Sequence, residues 1–93
     1  MSESKAEERK PHTLVVSIPS RKLDLLRRGP RDRVHRQKAF PGIEELCAGD
    51  SVAYYGVEGE HELLTGDELS YEIRSIEPPG RRPDWIFRLR RRA

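Results

Sequence analysis

A chain of 93 residues, 34% of them hydrophobic and 37% charged, has room for one small core and no second domain. Its net charge of +2 conceals a separation, because residues 20–38 sum to +6, residues 81–92 to +5 and residues 39–80 to −9. No run approaches the roughly 18 apolar residues of a membrane span and the N-terminus lacks an apolar signal-peptide core, so a membrane location is excluded and a cytoplasmic one is expected.

Met1 to Lys10 (MSESKAEERK) is polar, balanced in charge and without apolar period. A disordered tail is expected through residue 11, followed by a single domain over 12–93. His12 to Ile18 (HTLVVSI) alternates Leu14, Val16 and Ile18 on one side with Val15 and Ser17 on the other, and its β-branched content predicts a strand, central in its sheet. Pro19 ends it. Ser20 is placed to cap a helix over SRKLDLLRRG, with Leu23 and Leu26 on one face, Asp24 set to meet Arg28, and Gly29 as the stop.

After Gly29 the spacing changes to a strand on which Asp32, Val34 and Arg36 share one face and Arg31, Arg33 and His35 the other. In the loop that follows, Phe40 and Ile43 are expected to tuck beneath a turn, and Ala48-Gly49-Asp50 reads as a tight turn into the strand SVAYYGV. EGEHELLTGDE is expected to bridge to LSYEIRSI, a strand whose apolar phase slips at Ile76 and so predicts a bulge near Ser75. PPGRR forces a turn. DWIFRLRRRA closes the chain with Trp85, Phe87 and Leu89 on one face and Arg88 and Arg90 on the other, and Arg90, Arg91 and Arg92 are expected at a flexible end. Five or six short strands and one helix predict an α+β, mainly β fold: a small β-barrel with one short helix near the N-terminus.

Cys47 is the only cysteine, which excludes an internal disulfide and a cysteine-rich zinc site; a small buried apolar role is expected for it. His12, His35 and His61 are too scattered for a metal cluster, so no metal or cofactor is expected. There is no phosphate-binding glycine loop, no His-Glu-x-x-His and no Gly-x-Ser-x-Gly, and the adjacent acids Glu44-Glu45 and Asp67-Glu68 fall in loops.

The order of elements carries more information. A His-x-Leu strand, a Leu-faced helix, Gly29, a basic strand ending in Arg36, the Gly49-Asp50 turn and Thr65-Gly66 before a long strand together resemble the ASCH branch of the PUA-like β-barrel superfamily, over roughly residues 12–90. The likeness is to its small phage and bacterial members of unassigned function. Arg31 stands where that pattern usually has Lys, and Val34 where it has Glu or Thr. The resemblance implies a cleft between barrel and helix, with Asp32, Val34 and Arg36 facing in and Arg31 and Arg33 toward the helix edge or solvent. Superfamily members that act as amidohydrolases on acylated nucleosides depend on a Lys and a Thr in this segment. Arg31 stays protonated and Val34 has no hydroxyl, so that chemistry is not expected here.

Three readings follow. The first is a module that binds RNA, another single-stranded nucleic acid or a modified nucleotide through a basic cleft: 14 of the 18 cations are Arg, suited to bidentate phosphate contact and stacking, and Tyr54, Tyr55 and Trp85 offer stacking surfaces. The residues expected to meet such a ligand are Arg31, Asp32, Arg33 and Arg36 with Tyr54, Arg74, Arg88 and Arg90. The second is a protein-interaction module of phage or mobile-element origin, favoured by the acidic middle segment, which repels a nucleic-acid backbone. The third is a small nucleoside amidohydrolase or nuclease with a relocated base such as His35, His61 or Glu72. Segregated basic and acidic faces permit the first; interleaved ones indicate internal pairing.

Overall fold

A computed structural model describes residues 10–92. Nearly all of the expected N-terminal tail, residues 1–9, lies outside the described residues.

Strands β1 (Thr13–Pro19), β2 (Asp32–Gln37), β3 (Ser51–Glu58), β4 (Leu63–Glu77) and β5 (Trp85–Arg91) form one sheet in the order β1-β3-β4-β5-β2, with helix α1 (Ser20–Arg28) and a single 3-10 turn (Ile43–Glu45) between them. Only β1 and β3 run parallel, because α1 and β2 intervene before β3 returns beside β1; all other pairs are antiparallel. The fold is thus mainly β with one helix, and the sheet curls into a half-barrel. Among the described residues the barrel does not close: β1 pairs with β3 alone and β2 with β5 alone, leaving both as edges. Leu23 and Leu26 of α1 and Phe40, Ile43 and Leu46 of the β2–β3 loop pack into or against the core.

The inner face carries the core, with Val52 and Tyr54 of β3, Tyr71 and Ile73 of β4, and Phe87 and Leu89 of β5 all buried. Alternation in β1 places Leu14, Val16 and Ile18 inward as the pattern predicted, but β1 is an edge strand and not a central one. The bulge falls where expected. Between the pairs Ile73↔Leu89 and Ser75↔Arg88, β4 has one extra residue, Arg74.

Helix α1 spans the expected residues and stops at Gly29 as expected, but its N-terminus is capped differently. Pro19 occupies the N-cap and makes no side-chain cap, while the Ser20 hydroxyl donates to Glu58 Oε1 at 2.9 Å. Asp24 pairs with Arg27, three residues on, at 3.0 Å and not with Arg28. Where α1 crosses β3 the backbones come close: a Cβ on Gly56 would lie 2.9 Å from Thr65 Oγ1 and 3.2 Å from Leu23 Cδ2.

Two further expectations are corrected. LLTGDE is not a bridging loop but the start of the 15-residue β4, which forms with the end of β3 a hairpin whose turn is Gly59–Glu62. Nor are the terminal arginines a loose end. Arg90 and Arg91 belong to β5, the Arg91 guanidinium donates to the carbonyls of Leu26 (3.2 Å), Arg27 (2.8 Å) and Gly29 (3.4 Å), and Arg92 donates to Ser51 Oγ and the Gly49 carbonyl. The free carbonyls of a helix C-terminus attract a cation, which explains why an arginine of β5 is drawn there.

Gly49 turns with φ +98°, a conformation that favours glycine, and the buried Asp50 beside it accepts from the backbone N–H groups of His12 (3.1 Å) and Cys47 (3.0 Å). Asp50 therefore ties the turn to the start of β1. Cys47 itself is exposed, against the expectation of burial, because only its backbone is used there.

Candidate functional site

Strand β2 decides which cations reach the interior. Its exposure alternates so that Arg33, His35 and Gln37 face the trough while Asp32, Val34 and Arg36 face outward. The expected inward set is thus reversed. Val34 is the only aliphatic residue of the strand, yet it is 49% exposed, because Phe87 and Leu89 of the neighbouring β5 have already fixed the register and the inner positions of β2 fall opposite them.

Between α1 and β2, at the seam that the half-barrel leaves open, lies a cleft of about 420 Å³ lined by Ile18, Lys22, Leu25, Leu26, Arg33 and Tyr54. Lys22, Leu25 and Leu26 reach it because i, i+3 and i+4 share one side of a helix. Arg33 crosses from the opposite wall and lays its guanidinium over the Tyr54 ring, 5.1 Å from the centroid. Arg33 Nε is buried and makes no hydrogen bond among the described residues. Neither Lys22 nor Arg33 has a carboxylate partner among those residues.

Beneath Tyr54 runs an oriented chain of polar groups. The Gln37 amide nitrogen donates to the Lys38 carbonyl at 3.1 Å, which leaves its oxygen to accept from His35 Nε2–H at 2.9 Å. A neutral His35 then has Nδ1 free as an acceptor, and the Tyr54 hydroxyl donates to it at 2.9 Å. Burial holds the His35 imidazole below its ordinary pKa of 6.5; the hydrogen bond to Gln37 opposes that shift and the Arg33 charge adds to it. Burial pushes the Tyr54 phenol up, with Arg33 opposing. This run of polar groups is therefore neutral at pH 7, and among the described residues the charges that line the cleft are those of Lys22 and Arg33. The rings of Tyr54 and Tyr71 meet edge to face at 5.4 Å, with the Tyr71 hydroxyl buried and without a partner among the described residues.

Of the residues expected to meet a ligand, Arg33 and Tyr54 line this cleft. Arg31, Asp32, Arg36, Arg74, Arg88 and Arg90 are all exposed outside it. On the outer face of the sheet the charges interleave: Arg88 pairs with Glu77 at 3.2 Å, Arg74 with Glu72 at 3.3 Å, and Arg90 stands in register between Asp32 and Glu72. Asp32, Arg33, Val34, Arg74, Arg88 and Leu89 line a second depression of about 360 Å³, which gathers Asp32, Arg33, Arg74 and Arg88 of the expected residues, with Arg74 and Arg88 held by Glu72 and Glu77. Exposed pairs of this kind contribute about 0–1 kcal/mol each and leave little uncompensated field.

Lys22, Ile18 and Leu25 went unrecognised in the sequence. The available signal was the position of Lys22 and Leu25 on the helix flank away from Asp24, read together with Ile18 at the end of β1. Among the described residues no group of three or more His, Cys, Asp or Glu is placed to hold a metal ion, and no helix is long and apolar enough to cross a membrane. No known protein family matches the chain, and no curated protein or solved structure is significantly similar to it.

Proposed function

We propose that this chain is a PUA-like, ASCH-type module that binds RNA or another single-stranded nucleic acid by taking a nucleotide into the seam cleft. The observation that carries the reading is the pair of cations, Lys22 and Arg33, set without a carboxylate partner among the described residues on a wall that is otherwise apolar and aromatic. A base is a flat body with an open π-face, linked to an anion. Ile18, Leu25 and Leu26 suit the face and Lys22 and Arg33 the anion, while the Tyr54 ring is itself buried beneath the Arg33 guanidinium. The volume of about 420 Å³ lies near the lower end of the range for small-ligand sites, which favours one nucleotide unit over a long bound segment. Order of elements, a half-barrel sheet and a helix across its mouth support the family assignment.

The test is fluorescence polarisation with single-stranded RNA of increasing length across a salt series. Two phosphate contacts give a slope of about −1.4 in log K against log salt, and affinity that levels off after the first few nucleotides. Arg33→Ala weakens binding by about 1–3 kcal/mol and changes base preference, while Arg36→Ala, on the outer face, leaves both nearly unchanged. Absence of binding by the wild type at low salt refutes the reading.

A further inference from the structure

The hairpin of β3 and β4 ends in a segment with one kind of chemistry. Residues 57–68 (VEGEHELLTGDE) contain five acids and no Lys or Arg, and Leu63 and Leu64 stand 68% and 67% exposed at its end. Adjacent on β4, the two leucines point to opposite faces of the acidic ribbon, so each face of the hairpin end carries one exposed leucine without a partner among the described residues. The seam cleft is its complement: apolar walls from Ile18, Leu25 and Leu26, an exposed Leu25 at 67%, and two cations without acid partners among the described residues.

The two surfaces do not meet within one molecule. The hairpin is fastened to the other flank of α1, by Ser20 Oγ to Glu58 at 2.9 Å and Arg27 to Asp67 at 3.9 Å, whereas Lys22, Leu25 and Leu26 face the cleft. The helix stands between them. Contact therefore has to come from another copy.

We infer that the acidic leucine hairpin of one molecule docks into the seam cleft of a second, Leu63 and Leu64 against Ile18 and Leu25, with Glu60 and Glu62 opposite Lys22 and Arg33. Charge complementarity selects a second copy of this chain as the occupant: the cleft offers cations on an apolar wall, and the hairpin offers anions around apolar tips. The same cleft is used as for the proposed nucleotide, so self-association and ligand binding exclude each other. The inference rests on the geometry of the cleft and holds whatever small anion the cleft takes. The contact is heterologous, one surface of each copy against a different surface of the next. Its area is small, so it forms at high micromolar concentration.

Sedimentation equilibrium of the full chain, freed of nucleic acid by nuclease treatment, tests this. The weight-average mass rises above the 10.8 kDa of one chain as concentration increases at low salt, and the association weakens on the order of tenfold when salt is raised to about 0.5 M. Leu63→Asp with Leu64→Asp disables the hairpin, and Lys22→Glu with Leu25→Asp disables the cleft; all four positions are exposed, so each variant folds. Each alone stays at the mass of one chain. Mixed, the intact hairpin of one enters the intact cleft of the other, and the mass doubles and stops there. A wild type that remains monomeric at low salt, a variant that still associates alone, or a mixture that stays monomeric overturns the proposal. The hairpin variant, with its cleft unoccupied, separately reports on RNA binding, so failure of the nucleic-acid reading is seen independently.

Discussion

Replacing Arg91 by alanine removes the only described side chain that reaches the carbonyls at the end of α1. Its guanidinium donates to Leu26, Arg27 and Gly29, bonds of 3.2, 2.8 and 3.4 Å. A charge-assisted hydrogen bond contributes about 1.5–3 kcal/mol, and a cation at a helix C-terminus about 0.3–1 kcal/mol. The three bonds do not add. Water reaches the Arg27 carbonyl, whose bond is exposed, and the Gly29 bond is long, so the expected loss is about 2 kcal/mol. For a domain of this size that lowers the melting midpoint by about 8–16 °C. Thermal melting followed by circular dichroism measures it, with Arg90→Ala as the control: Arg90 points away from the helix on the outer face, and its loss stays within about 0.5 kcal/mol. Arg91→Lys recovers part of the stability, since an ammonium keeps the charge and loses the fork. If Arg91→Ala melts within about 2 °C of the wild type, or no lower than Arg90→Ala, the clamp contributes nothing and the reasoning is wrong.

Other outcomes are equally specific. Because the folded-state pKa of His35 lies below its ordinary 6.5, the unfolded chain binds more protons between the two values; stability is complete above 6.5 and declines as pH falls toward the folded pKa. Midpoints measured from pH 8 to about 5.5 show this decline in the wild type and a shallower one in His35→Gln; identical slopes would remove His35 as the cause. Gly56→Ala destabilises by about 1–3 kcal/mol in urea titration, since the new methyl group meets Thr65 Oγ1 at 2.9 Å and Leu23 Cδ2 at 3.2 Å; an unchanged midpoint means that α1 yields at no cost. Lys22→Ala reduces the salt slope of RNA binding by about 0.7, and an unchanged slope places the phosphate elsewhere.

The legible part of the fold was the part written in apolar alternation. In β1, β3 and β5 the inward residues Leu14, Val16, Ile18, Val52, Tyr54, Phe87 and Leu89 follow a period of two, and the slip at Ile76 located the bulge. Strand β2 has no such pattern. With one aliphatic residue among Asp32 to Gln37, local sequence favours Val34 inward, and only pairing with β5 puts Arg33 and His35 there. That single reversal moved Arg36 and Asp32 out of the candidate site and left Arg33 within it. The edge position of β1 was also illegible, since a strand rich in Val and Ile fits the middle or the rim of a sheet equally well. The terminal arginines misled for a different reason: a run of like charge at the end of a sequence carries no sign that the carbonyls of residues 26, 27 and 29 are waiting for one of its members.

The order β1-β3-β4-β5-β2 fixes when the molecule can assemble during synthesis. Strand β2 is made early, yet its only neighbour is β5, so residues 32–37 remain without a partner until residues 85–91 have been added. The meander of β3 and β4 can form meanwhile from local contacts, and β1 can join it in parallel, but one wall of the cleft and the clamp on α1 arrive together with the last strand. Loop closure over some fifty residues makes that step slow relative to hairpin formation. Until it occurs, the growing chain exposes the inner faces of β3 and β4, with Tyr54, Tyr71 and Ile73 in water, and this is the interval in which misassociation between nascent chains is most favoured.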